Sequence, residues 1–111
     1  MGKLVFASLH RTKDKKIVFL MRDGRSIPNE QPFVLLSVGA YLEKDENGFP
    51  VCWHVVELSS GLSIATGATY NAAVKAAKEK VSEVGVDRIR YLVDKSIKEH
   101  GPAPGHRITY L

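Results

Sequence analysis

Cysteine is nearly absent from this chain of 111 residues: Cys52 is the only one. No intrachain disulfide can form, and a zinc cage built from several thiolates is excluded. Long apolar runs are missing as well. The longest nearly apolar stretch, residues 33–42, holds ten residues and includes Ser37 and Gly39, too few and too polar for a bilayer-spanning helix. The first residues lack the basic segment, apolar core and small-residue cleavage site of a secretory signal. Together with the solitary cysteine, this sets the expectation of a reducing, cytoplasmic location without membrane contact. Low-complexity tracts and internal repeats are also missing, so a solenoid or a disordered tail is not expected.

What is present is a globular mixture, 44% hydrophobic and 25% charged, within the size range of one domain. The net charge of +4 is unevenly spread. Residues 1–30 carry +4, residues 31–60 carry −3 and residues 61–111 carry +3. A basic surface must therefore come from the two ends of the chain.

Apolar residues alternate over Leu4–His10 and Lys16–Arg22, which predicts a hairpin over 3–22 with Arg11–Lys15 as its polar turn and Asp23-Gly24 as its end. Pro28 and Pro32 mark a loop. Residues 33–66 are predicted to form a three-stranded meander. Its first strand is Phe33–Glu43, apolar on both faces, followed by Phe49–Leu58 after the Asn47-Gly48 turn and Leu62–Thr66 after Ser59-Ser60-Gly61. The period then changes to that of a helix. Tyr70, Ala73, Val74, Ala77, Val81 and Val84 share one stripe, and Thr69 and Gly85 are its expected caps. A second helix over 87–100, capped by Asp87, places Ile89, Leu92, Val93 and Ile97 inward and stops at Gly101-Pro102. Residues 106–111 form a last strand or tail. The expected fold is α+β: a mainly antiparallel sheet of four to six strands with two helices packed on one face.

Chemistry-bearing patterns are few. Cys52 and His54 share a strand face, but a cysteine nucleophile also needs oxyanion donors and a group orienting the histidine, and no such signal is present. A small buried cysteine beside a partly exposed histidine is the expectation. His10, His54, His100 and His106 lack chelating spacing, so no metal ligand is assigned. Gly61–Gly67 lacks the lysine of a phosphate loop. Glu43, Asp45 and Glu46 read as a solvated hairpin tip. No catalytic residue and no cofactor is expected. The one candidate site is the cluster Arg11, Lys13, Lys15 and Lys16 on the first hairpin, suited to phosphate contacts that are salt-sensitive and sequence-blind. The helix–Gly85–helix segment, with Arg88-Ile-Arg90-Tyr91, offers a second, weaker route to nucleic acid.

One pattern extends further. Leu42-Glu-Lys-Asp-Glu-Asn-Gly-Phe49 leads to Trp53-His-Val-Val-Glu-Leu58 and then to Gly61-Leu-Ser-Ile-Ala-Thr-Gly67. Thr69, Ala73, Ala77, Glu79 and Val81 follow. Over about residues 35–83 this resembles the N-terminal domain of HicB-type antitoxins, in which an acidic strand–turn–strand leads through glycines into an alanine-rich amphipathic helix. The resemblance implies shared architecture and a role as an antitoxin-like partner protein. Gly61 and Gly67 are expected to relieve turn geometry in this pattern. The functional expectation is thus a non-catalytic protein-interaction module with a protein partner or a second copy as its ligand. A nucleic-acid-binding module using the basic hairpin is the alternative, and a small-molecule binder or enzyme with a pocket beside the sheet is the third.

A hairpin that contacts phosphates retains the protein on heparin with a steep salt dependence, and the variant K13E/K15E/K16E then elutes at lower salt. An unchanged elution profile would exclude the tip as the contact.

Overall fold

A computed structural model describes the backbone of residues 2–105 and 107–110 and the side chains of residues 4–105. In chain order the elements are β1 (Gly2–Arg11), β2 (Ile17–Ser26), β3 (Val38–Lys44), β4 (Pro50–Glu57), β5 (Ser63–Gly67), α1 (Tyr70–Val84), α2 (Val86–His100) and β6 (Arg107–Tyr110). The strands form one sheet, ordered β5-β4-β3-β2-β1-β6, and every pairing is antiparallel. The fold is therefore α+β, with both helices on one face. His106 and Leu111, the ends of the expected C-terminal segment, lie outside the described residues.

The helix face is built by alternation. Val38 and Ala40 of β3, Val55 of β4 and Ile64 of β5 meet Ala73, Ala77 and Val81 of α1 and Ile89 and Val93 of α2. Thr69 caps α1 as expected, its hydroxyl accepting from the Ala72 amide at 3.0 Å. Small side chains at 73 and 77 let α1 lie close to the sheet. The approach is closest at Gly67, where an added Cβ would sit 2.5 Å from the Ala73 amide nitrogen. Gly67 thus serves close helix packing inside β5 rather than a turn, which corrects the expectation.

The opposite face has its own apolar cluster: Leu4, Phe6, Tyr41, Val56 and Leu58. β3 and β4 are consequently buried on both sides, the property that marked this part of the chain as central. Two strand limits and one helix limit differ from the expectation. Residues 33–37 are successive turns, with Phe33 N–H donating to Glu30 O and Leu36 N–H to Phe33 O. Phe33 and Leu36 enter the core at a spacing of three, leaving Val34 and Leu35 44% and 60% exposed, so the alternation expected there does not exist. Asp23-Gly24 does not end β2, which continues to Ser26, two residues before Pro28. Gly24 pairs with both Leu4 and Tyr41, and a Cβ there would meet Ala40 O and the Phe6 ring; glycine inside the strand marks a close crossing. Finally, α2 starts at Val86 with Gly85 as N-cap and no side-chain cap, placing Asp87 inside the first turn. Val84 and Leu92, expected inward, are exposed.

One carboxylate organises the turn between β4 and β5. Glu57 is 3% exposed. Its Oε1 accepts from Ser59 Oγ (2.6 Å), Ser60 N (2.9 Å) and Ser60 Oγ (2.8 Å), and its Oε2 from Ser59 N (3.0 Å). Burying a carboxylate is costly unless its lone pairs are filled in this way. The turn then delivers Gly61, at φ +77°, to the outer edge of β1, where the Leu9 amide donates to Gly61 O at 2.9 Å. β1 and the β4–β5 turn are far apart in the strand order, so this bond curls the sheet around the second apolar cluster.

Removing the acceptor strands buried donors. E57A should lower unfolding free energy by about 3 kcal/mol in urea titrations, with E57Q losing less. A loss below about 1 kcal/mol would mean that the turn holds itself.

Candidate functional site

The concave side of the curled sheet is apolar at its base and polar at its mouth. β3 and β4 pair Tyr41 with His54 and Glu43 with Cys52, so these four side chains project from one face at adjacent positions. The His54 imidazole stacks on the Tyr41 ring, with centroids 4.8 Å apart and planes 6° from parallel. From β2, on the other side of β3, the Arg22 guanidinium lies 4.6 Å from the centroid of the same ring, a cation–π contact. Arg22 Nε donates to Ser8 Oγ of β1 at 2.9 Å, and the Phe6 ring meets Tyr41 edge-on at 6.1 Å. Four strands thus contribute to one column, Ser8–Arg22–Tyr41–His54. These side chains line a cleft of about 460 Å³, with Arg11, Lys44 and Thr66 at its rim, a volume suited to a small ligand.

At the end of the column three unlike groups converge. His54 Nε2 lies 2.6 Å from Glu43 Oε1 and 3.3 Å from Cys52 Sγ, and Sγ lies 4.0 Å from the same carboxylate oxygen. This is not a nucleophilic relay. Such a relay needs the acid on one ring nitrogen and the nucleophile on the other, whereas here both neighbours sit on Nε2. Burial, and then the adjacent Glu43 carboxylate, push the Cys52 thiol above its ordinary range, so the thiolate needed for attack is disfavoured.

Of the basic cluster assigned from the sequence, only Arg11 lines the cleft. Lys13, Lys15 and Lys16 are exposed on the β1–β2 turn, which is closed by Thr12 N–H to Lys16 O and Lys15 N–H to Thr12 O. The histidines do not gather. His10 lines both this cleft and an adjoining hollow of about 560 Å³ beside α2, which His100 also lines, while among the described residues His54 is the one histidine grouped with Glu43 and Cys52. Glu43, expected at a solvated tip with Asp45 and Glu46, is instead a strand residue facing His54. Asp45 closes the tip by accepting from Asn47 N and Phe49 N. Arg22 lies outside the assigned cluster too, since its partners, Ser8 and Tyr41, come from two other strands. The one sequence signal for the site was the shared face of Cys52 and His54.

No protein-family model, curated protein or solved structure matches this chain. The site is accordingly read from its own geometry.

Alkylation of Cys52 by iodoacetamide should require more alkaline solution than that of a free cysteine, and E43Q should move the profile toward lower pH by removing the smaller of the two causes. A Cys52 profile like that of free cysteine would contradict the environment described.

Proposed function

We propose that this protein is a non-catalytic binding module whose ligand is a small carboxylate- or phosphate-bearing molecule held in the concave cleft. The observation that carries this reading is Arg22. Its Nε is anchored on Ser8 and its guanidinium carbon lies over the Tyr41 ring, and among the described residues no carboxylate is paired with its guanidinium. An arginine held in place by two neighbours, with its remaining N–H groups turned to a polar cleft, is preorganised for planar, bidentate anion recognition. Ser8 and Thr66 supply hydroxyls and His54 a ring nitrogen, while the base beneath them is apolar. The arrangement at Cys52 supports binding over covalent catalysis.

A second reading follows from the HicB resemblance, in which the ligand is a protein partner or a second copy of the chain. The order β3–β4–β5–α1 supports kinship of architecture. In addition, β5 forms an edge of the sheet, a place where a partner strand can add. The basic hairpin keeps the nucleic-acid alternative, with its exposed lysines as the sole support.

Titration of inorganic phosphate and then citrate, followed through backbone amide resonances, separates these readings. The cleft reading expects shifts centred on Ser8, Arg22, Tyr41 and His54, and at least about tenfold weaker binding in R22A. Shifts confined to residues 11–16 would favour the hairpin, and an absence of shifts in the cleft would overturn the proposal.

A further inference from the structure

Glu43, Cys52 and His54 are placed as three ligands of one metal ion. We propose that their side chains form a binding site for a divalent transition-metal ion of the zinc type at the rim of the cleft, with a fourth coordination position open. The site shares Glu43 and His54 with the lining of the cleft, but its three donors are in place whether or not the cleft takes an anion.

The first argument is the donor set. One thiol sulfur, one imidazole nitrogen and one carboxylate oxygen lie within 4.8 Å of one another. This mixture suits zinc and its neighbours rather than calcium or magnesium, which take oxygen ligands. Three protein donors with a vacant fourth position is also the usual composition of an open zinc site.

The second argument is geometric. A tetrahedral ion bound about 2.0–2.3 Å from each donor needs the donors roughly 3.3–3.6 Å apart. The three separations here, 2.6, 3.3 and 4.0 Å, bracket that range. Reaching it requires less than an ångström of movement, chiefly by the Glu43 side chain, which is 42% exposed and free to adjust. Cys52 and His54 sit two residues apart on β4, opposite Glu43 and Tyr41 on β3. Strand register holds the donors together, which explains why no chelating spacing of histidines was needed. The parallel Tyr41 ring fixes the plane of the imidazole and so the direction of Nε2.

The third argument concerns how well the three groups satisfy one another without an ion. Nε2 can carry one proton, yet it faces both a carboxylate oxygen and a sulfur. When Nε2–H donates to Glu43, it has no lone pair to accept from the thiol, whose other acceptor is 4.0 Å away. An ion at the centre satisfies all three at once, displacing the thiol proton and taking the Nε2 lone pair, with Nδ1 then carrying the ring proton.

Cobalt(II) is the probe of choice, because a thiolate ligand produces a near-ultraviolet charge-transfer band that oxygen and nitrogen ligands do not. The reduced full chain is titrated with cobalt(II), then with competing zinc(II). The expected result is one ion per chain, a thiolate charge-transfer band lost in C52S, and zinc affinity lowered at least about tenfold in both H54A and E43Q. Glu43 is partly exposed, so E43Q keeps the test valid should H54A fail to fold, as judged by far-ultraviolet circular dichroism. Three outcomes overturn the site: no charge-transfer band in the parent chain, zinc affinity unchanged in E43Q, or one ion shared between two chains through their Cys52 residues.

Discussion

The buried Glu57 carboxylate is the constraint on which the working face of this protein depends. Its four accepted hydrogen bonds fold Ser59 and Ser60 back on the end of β4. Gly61 can follow only because glycine tolerates its positive φ, and because a Cβ there would press within 3.1 Å of the Leu9 nitrogen. The Gly61 carbonyl then accepts from the Leu9 amide. Without that bond the β1 backbone would be hydrogen-bonded toward β3–β5 only by way of β2, which meets β3 at just three register positions, Gly24 to Ser26. A hairpin so lightly joined would have little reason to curl over β4.

Closure gives the sheet two different insides. On the helix side, alternating aliphatic residues and the small residues of α1 make an ordinary dry layer. On the concave side the same strands begin dry, at Leu4, Phe6, Val56 and Leu58, and become polar toward the mouth. Tyr41 is the hinge between these halves: its ring edge packs on Phe6 while its two faces carry Arg22 and His54. A single aromatic side chain thereby orients the cation of the proposed anion site and the imidazole of the proposed metal site.

Much of this was legible in the sequence where local physics decides. The helical stripe from Tyr70 to Val81, the Thr69 cap and the Asn47-Gly48 turn are short-range signals, and each appears where expected. Phe33–Ser37 was misread because a run apolar at every position does not reveal its own period; turns spaced by three bury Phe33 and Leu36 as effectively as alternation would. Gly24 looked like a terminator because its actual neighbour, the Phe6 ring, is distant in sequence. The candidate site was only half legible. Cys52 and His54 declare a common face by their spacing, but Glu43 joins them through the β3–β4 register, and Arg22 through its contacts with Ser8 of β1 and Tyr41 of β3. These relations depend on the pairing of strands distant in sequence, which no local pattern encodes.

Native-state amide exchange at Leu9 tests that curl most directly. The Leu9 N–H points away from β2 and has Gly61 O as its acceptor, beyond the β6 pairing that ends at Val5. The account expects protection at Leu9 approaching that of the central β3 and β4 amides. Exchange at the rate of an open strand edge would contradict it, and with it the existence of the concave cleft.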